Sequence, residues 1–154
     1  MLIATAAQMR DVGARLARDL QPRDLLIASG PLGAGKTTLV QGIGGALGVD
    51  GEITSPTFVI AREHLGPIKL LHIDAYRLRP EGGGQIDPLL ALDDLDLDTD
   101  GSVVVMEWGE GLGQLLSAEY LEIVIEMSAD DQRQVTLIAH GERWNDLVER
   151  AQSW

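Results

Sequence analysis

The chain of 154 residues contains no cysteine, which excludes disulfide bonds, cysteine zinc sites and thiol chemistry. It also lacks a continuous apolar run of about 18 residues, so the sequence predicts no membrane-spanning helix. The N-terminal stretch MLIATAAQMR has no basic segment before a long apolar one, and we therefore predict no signal peptide. These absences make the cytoplasm the expected compartment.

Basic residues are scarce, because 12 Lys and Arg stand against 24 Asp and Glu, for a net charge of −12. A protein that binds nucleic acid alone usually presents a basic face, whereas the bases here are scattered. We therefore expect no stand-alone binding of DNA or RNA, so that a role at a nucleic acid requires a partner protein. Apolar residues make up 45% of the chain, which predicts one globular domain over residues 1–154.

The apolar pattern along the chain predicts an α/β fold. Helical spacing and glycine or proline stops predict helices over residues 5–20, 36–48 and 141–153. Short apolar or alternating runs predict strands over 24–29, 57–63, 68–76, 102–108, 121–127 and 132–140. Residues 79–101 are rich in Gly, Pro and Asp and are predicted to form a loop with one or two helical turns. This order indicates a mainly parallel sheet flanked by helices, with antiparallel strands added at the C-terminal side by the late hairpin.

The segment GPLGAGKTT (30–38) contains Lys36, one of only two lysines in the chain, directly after a predicted buried strand. It fits the pattern G-x-x-x-x-G-K-[ST]. Glycines let backbone N–H groups converge on one anion, and the following helix adds its positive N-terminal end. The Lys36 ammonium would reach the β- and γ-phosphates, and the Thr37 hydroxyl can ligate Mg²⁺. The pattern predicts a P-loop that binds a nucleoside triphosphate, with a purely structural glycine-rich turn as the alternative.

A P-loop also requires a carboxylate at the end of a neighbouring strand, which holds Mg²⁺ directly or through water. Glu107, after the apolar run VVVM, is the first candidate, and Asp74 in HIDAYR is the second. The simpler interpretations are a solvated acid for Glu107, and a salt bridge to Arg77 or a helix cap for Asp74. His72 is either a proton carrier or, as is usual for a single histidine in an apolar strand, a hydrogen-bonded core residue. Trp108 is predicted to serve packing or partner contact rather than chemistry.

A calcium-binding loop is a competing interpretation, because residues 96–107 match D-x-D-x-D-G-x₅-E completely. An EF-hand loop runs into a helix, whereas the residues from Val103 onward favour a strand, and the sequence contains no second loop of this type. Calcium binding is therefore a minor alternative. A small-molecule kinase of the P-loop type is another, since P-loops support many reactions.

Four motifs in order resemble the bacterial TsaE (YjeE) family, the small ATPases of the tRNA threonylcarbamoyladenosine pathway. They are LGAGKTT (32–38), TSPTF (54–58), HIDAYRL (72–78) and EW (107–108). The resemblance extends from about residue 9 to about residue 141. It implies ATP and Mg²⁺ as ligands, a weak ATPase that works with TsaB and TsaD, and contact with tRNA only through those partners.

The resemblance also implies roles for individual residues. The phosphate-binding turn and its helix would be formed by Gly30, Gly33, Ala34, Gly35, Lys36, Thr37 and Thr38. Thr37 and Glu107 match the Mg²⁺ ligands, and the catalytic residues would be Lys36, Asp74 and Glu107. A switch-like loop near the γ-phosphate would be formed by Thr54, Ser55, Pro56 and Thr57. Arg133 matches an arginine near the nucleotide, whereas Pro31 and Met9 stand where family members commonly carry an acid and a threonine.

Overall fold

The structure is a computed structural model that describes residues 1–79, 87–128 and 130–154. Its strands are β1 (Leu2–Ile3), β2 (Leu25–Ser29), β3 (Ala61–His64), β4 (Lys69–Asp74), β5 (Ser102–Glu107), β6 (Tyr120–Met127) and β7 (Arg133–His140). Its helices are α1 (Ala6–Ala17), α2 (Lys36–Leu47), α3 (Pro88–Asp93), α4 (Gly113–Leu116) and α5 (Asn145–Ala151). All seven strands form one sheet in the order β1-β7-β6-β2-β5-β4-β3.

Four neighbouring strands, β6, β2, β5 and β4, form a parallel core. Beyond β6, the strands β7 and β1 are antiparallel, and beyond β4 the strand β3 is antiparallel. The predicted fold class, a mainly parallel sheet with antiparallel strands at the C-terminal side and flanking helices, is confirmed. The structure adds that β6, the first strand of the late hairpin, belongs to the parallel core, and that β1 and β3 add antiparallel strands at the two edges.

The predicted elements agree with the observed ones except at their ends. The strand predicted over 57–63 begins only at Ala61, because the backbone turns before it. Both Val59 and Ile60 donate their N–H groups to the Pro56 carbonyl, and Ile60 has a positive φ of 70°. In the loop predicted over 79–101, α3 provides the helical turns, and residues 80–86 lie outside the described residues.

Within the described part of the chain, no helix has the length and apolarity needed to cross a bilayer.

Helices α1 and α2 cover one face of the sheet and cross closely. Their buried side chains, including Leu16 and Ile43, share one apolar cluster with Val105 of β5. A Cβ added at Gly42 would lie 2.7 Å from Arg10 Cα, which is well inside contact distance. The glycines of α2, which weaken its intrinsic helicity, therefore permit a contact between the two helices that no larger residue would allow.

The carboxyl ends of the parallel strands converge at one edge of the sheet. Strand β2 ends at Ser29 and leads through residues 30–35 into α2, while Asp74 ends β4 and Glu107 ends β5. Asp74 and Glu107 are register partners. Because side chains alternate along a strand, His72 and Asp74 share the face covered by α2. The candidate functional residues are therefore placed together by sheet register.

Candidate nucleotide-binding site

A glycine-rich turn over residues 30–35 connects β2 to α2. Gly30, Gly33 and Gly35 have φ values of 140°, 78° and 107°, a region that other residues rarely adopt. A side chain at Gly30 would also overlap the Ile125 carbonyl of β6. Gly35 is the N-cap of α2, and no side chain caps this end of the helix. The first N–H groups of α2 are therefore available to an anion.

Lys36, the first residue of α2, is buried with 4% of its surface exposed. Its Nζ donates to the carbonyls of Gly30 at 2.6 Å and Pro31 at 3.0 Å, and lies 3.6 Å from the centre of the Trp108 ring. Pro31 thus keeps a backbone role in the turn although its side chain is apolar. Burial lowers the pKa of Lys36 from its ordinary value, and nearby carboxylates, Glu107 first, oppose this effect.

Thr37 and Glu107 meet directly beside the turn. The Thr37 hydroxyl donates to Glu107 Oε1 at 2.8 Å, and Nε2 of the fully buried His72 lies 2.8 Å from the same oxygen. Because Thr37 gives its only proton to Glu107, its oxygen lone pairs are available to a cation. Hydroxyl and carboxylate oxygens are the ligands that Mg²⁺ prefers, so these two residues fit a magnesium ion.

Asp74 is 2% exposed and accepts three hydrogen bonds. Ser55 and Thr57 donate their hydroxyls to Oδ2 at 3.0 and 2.5 Å, and the Tyr76 N–H donates to Oδ1 at 3.0 Å. Arg77, one predicted partner of Asp74, instead donates to the Phe58 carbonyl. The segment 54–57 is therefore held against the end of β4 by Asp74.

The other predicted residues lie around this centre. Ala34 is buried within the turn, and Thr38 follows Thr37 in the first turn of α2. Arg133 reaches the turn from the start of β7, where its Nη2 lies 3.4 Å from the Gly33 carbonyl. The Thr54 side chain is exposed and accepts a hydrogen bond from Arg62 at 3.0 Å.

The sequence predicted neither the contact of Trp108 with Lys36 nor the contact of His72 with Glu107. Trp108 has a positive φ of 63°, and its ring contacts Tyr76 (ring centres 5.1 Å apart) as well as the Lys36 ammonium. Its place directly after Glu107 is a signal that it belongs to the same edge of the sheet. Met9 of α1 also approaches the turn, since its Cε would lie 3.4 Å from a Cβ at Gly35.

The geometry does not support the calcium alternative. Asp98 pairs with Lys69, and Asp100 pairs with Arg23 at 3.0 Å. Glu107 lies at the far end of β5, about 16 Å along the strand from its start. Over residues 1–79, 87–128 and 130–154, no group of three or more acidic or histidine side chains is arranged to hold a metal ion.

Together, the fold and the turn define a class of protein. This is an α/β protein in which a glycine-rich turn joins a central parallel strand to a helix, as is typical of P-loop proteins. The chain belongs to the TsaE family: the model of that family, described as threonylcarbamoyl adenosine biosynthesis protein TsaE, matches residues 3–135. The family resemblance inferred from the four sequence motifs is thereby confirmed.

Relatives support the same assignment. A protein named tRNA threonylcarbamoyladenosine biosynthesis protein TsaE from Streptomyces coelicolor is 49% identical over 144 residues, which cover 88% of this chain and 93% of the relative. The Bacillus subtilis protein of that name is 37% identical over 133 residues, covering 84% and 78%. The crystal structure of Bacillus subtilis YdiB matches with a TM-score of 0.78 at 28% identity, covering 99% of this chain and 93% of that one.

Proposed function

We propose that this chain binds ATP with Mg²⁺ and hydrolyses it weakly, as an accessory protein of tRNA N6-threonylcarbamoyladenosine modification. Membership of the TsaE family supports the pathway. The single observation that carries the nucleotide part is the 2.8 Å hydrogen bond between Thr37 and Glu107. It joins the helix after the glycine-rich turn to a carboxylate at a neighbouring strand end, and a turn with a purely structural role does not require this pairing.

Each residue of the site has a role that follows from its position. The N–H groups at the start of α2 bind phosphate oxygens, and the Lys36 ammonium on the same helix neutralises their charge. Thr37 and Glu107 would hold Mg²⁺, which when bound neutralises charge that develops on the phosphates. Asp74 orders the segment 54–57, from which Ser55 and Thr57 would face the γ-phosphate once released from that carboxylate.

The partners and the compartment belong to the same proposal. An acidic chain with scattered bases has little affinity for tRNA, so the tRNA would be held by a TsaB–TsaD complex with which this chain associates. That association would take place in the cytoplasm and would raise the rate of ATP turnover.

ATP turnover and ATP affinity, measured with and without a TsaB–TsaD complex, test the proposal. We expect Lys36→Ala to weaken ATP binding about 10- to 100-fold, because a charge-assisted contact to phosphate is lost. We expect Glu107→Ala to retain ATP binding but to lose Mg²⁺-dependent turnover. Unchanged ATP affinity in Lys36→Ala would refute the assignment of the turn.

The same assay separates this function from that of a small-molecule kinase. A kinase would transfer the γ-phosphoryl group to a metabolite at a rate that the TsaB–TsaD complex does not change. Release of free phosphate that increases with the complex supports the accessory ATPase instead.

A further inference from the structure

A buried histidine lies behind the carboxylate that the proposed function assigns to Mg²⁺. His72 on β4 is 0% exposed, and its Nε2 lies 2.8 Å from Oε1 of Glu107 on β5. The two strands are parallel neighbours, with His72 in register with Val105, two residues before Glu107. The contact therefore follows from the register of the sheet and does not depend on a flexible loop.

This hydrogen bond has one direction. An ionised carboxylate only accepts hydrogen bonds, so Nε2 of His72 donates its N–H to Glu107. No described residue bonds Nδ1, although it is buried. An unpaired buried nitrogen costs free energy, which a leucine at this position would avoid. Packing alone therefore does not account for an imidazole here.

Glu107 is held from two elements at once. Thr37 of α2 and His72 of β4 both bond to Oε1, so the orientation of the carboxylate is set by a helix and a strand together. Among the described residues, none bonds to Oε2 of Glu107. The second carboxylate oxygen is thereby left for a cation, while the first is used for orientation.

We propose that His72 is a positioning residue whose Nε2–H orients the Glu107 carboxylate for Mg²⁺. The inference rests on the proposed function, because it assumes that Glu107 holds the metal. His72 lies behind Glu107 and is not a ligand itself. Groups that orient metal ligands in this way typically change metal affinity about 10- to 100-fold when they are removed.

The chain contains a matched control in His64. This histidine lies on the neighbouring strand β3, is also buried, and has its ring centre 6.4 Å from that of His72. Its Nε2 has no hydrogen-bond partner among the described residues, Glu107 included. His64→Leu therefore reproduces the loss of a buried imidazole without loss of the hydrogen bond to the carboxylate.

The experiment measures binding of a non-hydrolysable ATP analogue by calorimetry, in EDTA and over a series of Mg²⁺ concentrations. In His72→Leu we expect affinity in EDTA within about twofold of the wild type and a half-saturating Mg²⁺ concentration raised about tenfold or more. In His72→Gln the half-saturating Mg²⁺ concentration should return most of the way to the wild-type value, because the glutamine amide N–H reaches the position of Nε2. His72→Asn, whose amide is one methylene shorter, should behave like His72→Leu, and His64→Leu like the wild type.

The outcomes separate the two proposals. A wild-type chain that does not bind the analogue with Mg²⁺ overturns both the proposed function and this inference. A wild-type chain that binds it, together with a His72→Leu variant of unchanged Mg²⁺ dependence, overturns the inference alone. Equal losses in His64→Leu, or equal losses in EDTA and Mg²⁺, would indicate a packing role and also overturn it. If thermal melting shows that His72→Leu is unfolded, His72→Gln and His72→Asn are compared instead. Equal Mg²⁺ dependence in these two variants would overturn the inference.

Discussion

At the scale of single residues, the site buries three charged side chains, and neighbouring groups of the chain bind each of them. Lys36, Asp74 and Glu107 are exposed by 4%, 2% and 3%, and each has hydrogen-bond partners. A buried charge is tolerated only when such partners offset the loss of hydration. The folded chain therefore supports the charges of its site through its own carbonyls and hydroxyls, and removing one of these groups leaves its partner unsatisfied.

His64, outside the site, leads to a prediction about pH. Burial lowers the pKa of His64 from its ordinary value, and the neighbouring His72 and Arg62 add to this effect. Above about pH 6.5 the imidazole is neutral in both states, whereas below it the unfolded chain binds a proton that the folded chain does not. The contribution of His64 therefore makes the free energy of unfolding decrease as the pH falls below about 6.5.

Urea unfolding at several pH values checks this prediction. As the pH is lowered, we expect the free energy of unfolding of the wild type to decrease more than that of His64→Leu. Comparison with the variant cancels the contributions of the many surface carboxylates. A difference that stays constant across this pH range would contradict the prediction.

At the scale of elements, the crossing of α1 and α2 sets the position of the glycine-rich turn. Helix α2 begins at Lys36, so any displacement of α2 moves Lys36 and Thr37 together. Gly13 of α1 and Gly42 of α2 make the crossing close, since a Cβ at Gly13 would lie 2.8 Å from Ile43 N. The close packing also explains how a helix with several glycines is stable, because tertiary contacts outweigh intrinsic propensity.

Two alanine substitutions in α2 test this role of the crossing. Gly42→Ala places a methyl group against the Arg10 backbone, and we expect it to destabilise the fold by about 1–3 kcal/mol. Gly45→Ala lies on the exposed side of the same helix with no atom within 4 Å of the new Cβ. There we expect a gain of about 0.5–1 kcal/mol from helix propensity alone. Thermal melting measures both, and shifts of equal sign would contradict the role of the crossing.

At the scale of the whole molecule, local patterns predicted the elements and the antiparallel hairpin of β6 and β7, but not which distant strands are neighbours. Helix α2 was predicted to stop at Gly48, which has a φ of 72° and ends it. The parallel direction of β6 depends on its pairing with β2, far away in sequence, and no local pattern contains it. The contact of His72 with Glu107 depends in the same way on the register of β4 and β5. The place of the glycine-rich turn before α2 was therefore predictable from sequence, whereas the contacts around Glu107 were not.

Ion pairs within the chain engage several of its few basic residues. Several of the 12 bases contact acids within the chain, in the pairs Arg23–Asp100, Lys69–Asp98, Arg143–Asp24 and Arg150–Asp19. Bases engaged in this way do not add up to a face that would neutralise a row of phosphates. The excess of 12 negative charges then opposes the approach of a polyanion.

We therefore predict that the chain alone binds tRNA only very weakly. The dissociation constant should exceed about 10⁻⁴ M at physiological salt. Fluorescence anisotropy of labelled tRNA measures this directly. Because a protein that neutralises phosphates releases counterions, real binding would strengthen steeply as the salt concentration is lowered from about 200 to about 50 mM. The same titration with a TsaB–TsaD complex present is the control, since under the proposed function the partners would hold the tRNA there. Anisotropy that rises with this chain alone, and more so at low salt, would mean that some face of the molecule attracts nucleic acid despite its net charge.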